Sequence, residues 1–127
     1  MTNIDEILAS YYDAKKKMTE TVTAAINPMF DSFFEKYPTL ESFSWTQYTP
    51  YFNDGDTCQF SVHSWPDINE TAEWDIAHGT PEYEISKDIG SFLAKVPEEV
   101  FLDLYGDHSR ITIKRLGEPV IEDYEHD

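Results

Sequence analysis

Four groups of residues in this chain have types and spacings that could do chemistry. Asn53, Asp54 and Asp56 crowd oxygen ligands around Gly55. A twelve-residue calcium loop, however, needs ligands at alternating positions and a closing glutamate, and neither is present. Two carboxylates beside a glycine are equally the ordinary chemistry of a tight turn. Cys58 could be a nucleophile with a histidine base, but His63 lies five residues away on the same extended run and so points to the opposite face. A dyad with His78 or His108 stays open at this level, against the plainer reading of a small buried thiol. Ser61 and His63 share a face, yet an i,i+2 pair on a strand stands about 7 Å apart, too far for a nucleophile and its base. Asp107-His108 places a carboxylate beside an imidazole, which could orient an acid or base or simply serve a turn. The chain carries no phosphate-cradling glycine loop, no zinc spacing and no nucleophile elbow. No metal or cofactor is implied.

Three of these groups sit on one predicted hairpin. The run Phe43-Ser-Trp-Thr-Gln-Tyr-Thr-Pro-Tyr-Phe52 is aromatic and threonine-rich. Asn53-Asp54-Gly55-Asp56 follows, and then Thr57-Cys-Gln-Phe-Ser-Val-His-Ser-Trp65. Asp-Gly between two β-prone runs signals a two-residue turn. That turn pairs Tyr51 with Cys58, Thr49 with Phe60, Gln47 with Val62 and Trp45 with Ser64. One face then collects Phe43, Trp45, Tyr51, Cys58, Phe60 and Val62. The other collects Thr46, Tyr48, Pro50, Phe52, Gln59, Ser61, His63 and Trp65. A slip of one residue would mix the two sets. Pro50 falls at a non-hydrogen-bonded pair, so sheet pairing on its outer side must be absent or broken there.

The remaining elements supply the layer that seals one face. Asn3 followed by Glu6 resembles a capping box. Apolar residues from Ile4 through Leu8, Tyr11, Met18, Val22, Ile26 and Phe30 to Phe33 then recur at helical spacing. Lys15, Lys16 and Lys17 read as a solvated face. Pro28 should kink this helix or begin a second one, and the helical region ends near Tyr37-Pro38. Residues 66–84 read as an acidic loop, pinned to the body by Trp74 and Ile76. Helix returns over Ser86–Lys95. A further helix opens at Pro97-Glu98-Glu99 and stops at Gly106. A second hairpin runs from Arg110–Arg115 through Leu116-Gly117-Glu118 to Pro119–Tyr124. This order predicts a single α+β domain over residues 1–127, a four-stranded, mainly antiparallel sheet with helices on one face.

Charge limits the partners. Twenty-five Asp and Glu face nine Lys and Arg, a formal net charge of −16. No Lys or Arg occurs between Lys36 and Lys87, while that stretch holds Glu41, Asp54, Asp56, Asp67, Glu70, Glu73, Asp75, Glu82 and Glu84. Such a field repels nucleic acid and anionic lipid and attracts basic surfaces. Aromatic residues make up 15% of the chain, which argues against disorder. With a single cysteine no intrachain disulfide can form. The start, MTNIDEILAS, lacks the basic region and apolar run of a signal peptide, and no apolar run reaches a membrane span. A cytoplasmic setting is expected.

The segment Trp45-Thr-Gln-Tyr-Thr-Pro-Tyr-Phe-Asn-Asp-Gly-Asp56 resembles a hallmark of a family of small uncharacterised acidic proteins of tailed bacteriophages and some bacteria. Tyr105-Gly106-Asp107-His108 before an Ile-Thr-Ile strand, and the end Tyr124-Glu-His-Asp127, are similar too. The likeness covers the hairpin and the last quarter; Asp67–Glu84 has no counterpart. The resemblance implies a phage-type, non-structural, intracellular setting, in the host cytoplasm where the gene is a phage's. It carries no activity and no catalytic residues.

Together these readings favour a non-catalytic accessory protein that binds a host or phage protein with a basic surface. Its partner-binding residues would be Tyr48, Phe52, His63, Trp65, Asp54 and Asp56. A defence or nucleic-acid enzyme is a fitting target, with DNA mimicry as the sharper version. One alternative is a small enzyme or ligand-binding module using His63 or Asp107/His108. Another is a self-associating structural component, so that a homo-oligomer is compatible with the sequence. The bland counterparts are acidity that serves solubility alone and an aromatic face covered by residues 66–84.

Overall fold

A computed structural model of the chain describes residues 3–50 and 59–124. Asn3 caps helix α1 (Ile4–Lys36), its side chain accepting the Glu6 amide at 2.9 Å. Pro28 lies inside this one continuous helix of 33 residues. Strand β1 (Ser42–Tyr48) follows, then β2 (Ser61–Val62), β3 (Asp67–Ile68) and a single 3-10 turn at Glu73–Asp75. Helices α2 (Pro81–Lys95) and α3 (Glu98–Tyr105) lead to β4 (Ser109–Lys114) and β5 (Val120–Asp123). The result is α+β, as expected. The antiparallel sheet has order β2-β1-β4-β5, with β3 also on β1.

The predicted register holds over β2, although the predicted Thr49–Phe60 pair is not part of the ladder. Gln47 faces Val62 and Tyr48 faces Ser61. The Asp54-Gly55 turn itself, with Tyr51, Phe52, Asp56 and Cys58, lies outside the described residues. Trp45 does not pair with Ser64, as the sequence suggests. Instead Phe43 pairs with Ile68 and Ser44 with Asp67. Two extra residues have therefore entered the returning chain between Val62 and Asp67. They leave the ladder around Ser64-Trp65-Pro66, where proline has no amide to give it. The outer side of Pro50 is unpaired by β4, whose ladder on β1 ends at Gln47.

Residues 66–84 are more ordered than a loop. They contain β3 and the 3-10 turn, and α2 begins at Pro81 rather than Ser86 because Thr80 caps the Tyr83 amide. Ile76 packs against the core, but Trp74 does not pin the segment: it is 80% exposed.

Alternation sorts the sheet. Phe43, Trp45, Ile111 and Ile113 are buried against Ile26, Phe30 and Phe33 of α1, Ile85, Ile89 and Leu93 of α2, and Phe101 of α3. Phe30 meets Phe43 edge-on at 5.2 Å, and Trp45 lies 5.5 Å from Phe101. Gln47 is buried in the same layer. Its Oε1 accepts the Trp45 indole N–H at 3.0 Å, and its Nε2 donates to the carbonyls of Phe101 and Gly106 at 2.9 and 2.8 Å. Arg115 closes the other end of the fold. Its guanidinium donates to the carbonyls of Phe34, Tyr37 and Leu40, each at 2.9 Å. A cation on the last carbonyls of α1 complements the negative end of the helix dipole.

Helix α2 reaches the sheet edge through a glycine. A Cβ on Gly90 would stand 2.5 Å from the carbonyl oxygen of Ser64, the backbone that leaves the ladder. Intrinsic propensity favours alanine over a mid-helix glycine by about 1 kcal/mol. Gly90→Ala should nonetheless destabilise the protein, by about 1–3 kcal/mol, because backbone would have to move. Urea midpoints of the two proteins measure this; a midpoint equal to or above that of the parent would contradict the close approach.

Candidate functional site

The face of the sheet turned away from the helices carries the side chains that alternate with the core set. Tyr48 and Thr46 of β1 stand there, with Arg110 of β4 opposite Thr46. Ser61 lies opposite Tyr48. His63 extends the edge, its amide donating to the Thr46 carbonyl at 2.9 Å. Tyr124, just past β5, brings its ring to 5.6 Å from that of Tyr48. Among the described residues no helix covers this side. A concavity of about 270 Å³ is lined by Tyr48, His63, Trp65, Glu73, Trp74 and Arg110, among others.

Its polar groups hold one another in place. Arg110 pairs with Asp67 and donates to the Ser44 hydroxyl at 3.3 Å. The other oxygen of Asp67 accepts the backbone amide of Glu73 at 2.9 Å. The Glu73 carboxylate meets His63 Nε2 at 2.8 Å through both oxygens. Asp67 thus fixes the 3-10 turn, and that turn delivers a carboxylate to His63. The same turn holds up Trp74, while the two-residue excursion holds up Trp65, which is 52% exposed. Both indoles also wall a second concavity of about 520 Å³ that includes Glu73, Ile76, His78 and Tyr83. The His78 and Tyr83 rings there lie 4.3 Å apart.

Of the sequence-predicted binding residues, Tyr48, His63 and Trp65 come together on this face. Phe52, Asp54 and Asp56 lie outside the described residues. The acidic segment, which the sequence leaves as either a partial cover or no cover, builds one wall. Glu73, Trp74, His78 and Tyr83 are not among the residues that the sequence points to as partner-binding: it casts Trp74 as a pin and His78 only as a possible base for Cys58. Trp74 had a usable signal, an indole set between acids in a segment poor in large apolar residues. The Glu73–His63 contact joins residues ten apart through a turn that no local pattern announces.

Asp107 and His108 stand elsewhere, in the turn from α3 to β4. Asp107 accepts from the Thr49 amide at 2.8 Å, the Thr49 hydroxyl at 2.7 Å and the His108 amide at 2.8 Å. It bolts the end of β1 to that turn. His108 Nε2 is 3.8 Å from Asp107 Oδ1, and the His108 carbonyl accepts the Tyr124 amide at 2.7 Å. A carboxylate so occupied is an anchor for backbone. Among the described residues no group of three potential metal-ligating side chains forms, and no helix is long and apolar enough to cross a membrane.

No protein-family model matches the chain, and no curated protein or solved structure is significantly similar to it. Function therefore rests on the chemistry of the site. Two exposed indoles and a tyrosine around paired carboxylates suit the binding of a cationic or mixed surface. The electron-rich ring faces attract ammonium and guanidinium groups, and the acids add long-range attraction.

The Asp107 anchor makes a testable contribution. Burial alone would push its carboxyl up, but the bonds from Thr49 and from the His108 and Thr49 amides outweigh this and hold it below the usual range. A carboxyl lowered in the folded state stabilises it above the unfolded value near pH 4, and the gain vanishes as pH falls through the folded value. Asp107→Asn should cost about 1 kcal/mol at pH 7. The gap from the parent should close as pH falls below about 4 and through the lowered folded value, Asp88 being lowered too and keeping its own share of acid sensitivity in both proteins. Urea unfolding across that range is the measurement; a gap constant with pH would contradict the assignment.

Proposed function

We propose that this protein acts by binding another protein through the uncovered sheet face, and that basic side chains of the partner enter the indole-walled, acidic concavities. One observation carries this reading: Trp65 and Trp74 stand 52% and 80% exposed beside Glu73. Large aromatic side chains left in water at a concave site are costly to a monomer and typical of binding hot spots. The net charge of −16 supports a basic partner, because opposite fields steer encounter. The likeness of the Trp45–Asp56 segment to acidic phage proteins supports a phage-type accessory role against a host or phage protein. A nucleic-acid enzyme is the class of target whose basic groove such a surface fits, and DNA mimicry is the limiting form in which carboxylates alone do the work. The alternative of an enzyme built on His63 or Asp107/His108 has less behind it: Glu73 already engages His63, and Asp107 is spent on backbone and Thr49.

The test is affinity capture from host lysate with the parent protein and with a Trp65→Ala/Trp74→Ala variant. Recovery of the partner should fall at least about tenfold with the variant, as for loss of one hot-spot residue or more. Undiminished recovery would overturn the role of the face. Repeating the capture across salt separates the two forms of the reading. Affinity that collapses steeply with salt favours mimicry of phosphates, and a shallow decline favours the mixed aromatic interface.

A further inference from the structure

The larger of the two indole-walled concavities, about 520 Å³, has rings from three separate elements. Trp65 comes from the excursion that leaves the ladder, Trp74 from the 3-10 turn, and Tyr83 from the first turns of α2. Each is fixed from behind. Gly90 admits the Ser64 backbone beside Trp65, Asp67 holds the Glu73 amide beside Trp74, and Thr80 caps the Tyr83 amide. His78 lies against the Tyr83 ring, their centroids 4.3 Å apart and their planes tilted by 31°. Ile76, packed on the core, and the buried Ser86 complete the lining. Among the described residues neither indole stacks on another ring, so ring faces are left for a ligand. The volume falls within the range of small-ligand pockets.

Ring faces and carboxylates together attract cations. Glu73 lines the concavity. The positive end of α2 opens close by, and Glu82 and Glu84 in its first turn offset it. Hydrogen bonding then decides which cation fits. Taken out of water, a lysine ammonium brings three N–H groups and a guanidinium five, and each needs an acceptor. The lining offers few. Both oxygens of Glu73 are turned to His63 Nε2 at 2.8 Å, which occupies the fork that would clamp a guanidinium. The Ser86 hydroxyl is engaged with the Tyr83 carbonyl at 2.8 Å. The indole nitrogens only donate. A fully methylated ammonium retains its charge, presents methyl groups for the rings to cover, and has no N–H left to satisfy.

We infer that this concavity is an aromatic cage for a methylated ammonium group, carried by a lysine side chain of the protein partner. The inference rests on the sheet-face reading for that carrier; the cage chemistry itself is shared by any free quaternary ammonium ion.

Titration of the full chain with tetramethylammonium at constant chloride, followed through the indole N–H signals by NMR, tests the cage. The signals of Trp65 and Trp74 should shift saturably in the millimolar range, while that of the buried Trp45 stays in place. Ammonium and guanidinium ions should bind at least about fivefold more weakly. Trp74→Ala and Tyr83→Ala should each weaken tetramethylammonium binding at least about fivefold, an unmoved Trp45 signal showing that the fold is retained. Trp74 is 80% exposed, so its removal costs no core packing. The absence of a saturable shift, guanidinium binding as tightly as tetramethylammonium, or a folded Trp74→Ala that binds like the parent would each overturn the cage. Blocked trimethyl-lysine and choline separate the two carriers: tighter binding of the lysine compound supports a protein side chain, and tighter binding of choline would overturn that carrier in favour of a free cation. Loss of the partner from Trp65→Ala/Trp74→Ala without any cation binding would reject the cage and leave the sheet-face reading. Cation binding with undiminished partner capture would reject the protein partner and leave the cage.

Discussion

The side-chain amide of Gln47 lies in the core with its hydrogen-bonding groups engaged, and the arrangement of sheet and helices turns on it. An unbonded amide in that position would cost several kcal/mol. Its oxygen takes the Trp45 indole, and its nitrogen reaches the carbonyls of Phe101 and Gly106. The two carbonyls belong to α3 and to the residue that ends it, so β1 can sit in only one place along that helix. Any shift of register would strand the amide and both carbonyls together. The bond also sets orientation. With Trp45 and Gln47 inward, Thr46 and Tyr48 must face outward.

From that constraint the open face follows. The ladder of β4 on β1 places Arg110 opposite Thr46, and β3 places Asp67 opposite Ser44, so the ion pair forms on the uncovered side. Asp67 then holds the Glu73 amide, and the turn it fixes raises Glu73 to His63 and leaves Trp74 in water. The excursion at Ser64–Pro66 is pinned from behind by the bare face of Gly90, which turns Trp65 outward. Each exposed ring is therefore carried by buried structure, and a surface so held loses little conformational freedom on binding.

Much of this could be read from residue order. The Asp-Gly corner and the alternation around it gave the Gln47–Val62 pairing and the inward position of Phe43 and Trp45. Pro97-Glu-Glu and Gly106 marked both ends of α3, and Gly117, with φ of +100°, marked the last turn. The excursion was not legible, because one run of β-prone residues from Thr57 to Trp65 gives no sign that two residues will leave the ladder. That decision is tertiary: it depends on Gly90, some twenty-five residues later, meeting Ser64. Gln47 reads locally as a polar residue on a strand, and its burial depends on carbonyls at the far end of the chain. The start of α2 was legible in Thr80-Pro81-Glu82, a cap followed by a proline and an acid, but lay hidden within an acidic segment read as loop.

The chain's three tryptophans report directly on the sorting of its two faces. Hydrogen exchange of their indole N–H groups, followed by NMR on the intact protein, resolves each ring separately. Trp45, buried and bonded to Gln47, should exchange only when the molecule opens globally, whereas Trp65 and Trp74 should exchange nearly as fast as a free indole. Fast exchange at Trp45, or protection of Trp65 and Trp74 comparable to it, would contradict the sealed and open layers on which the account is built.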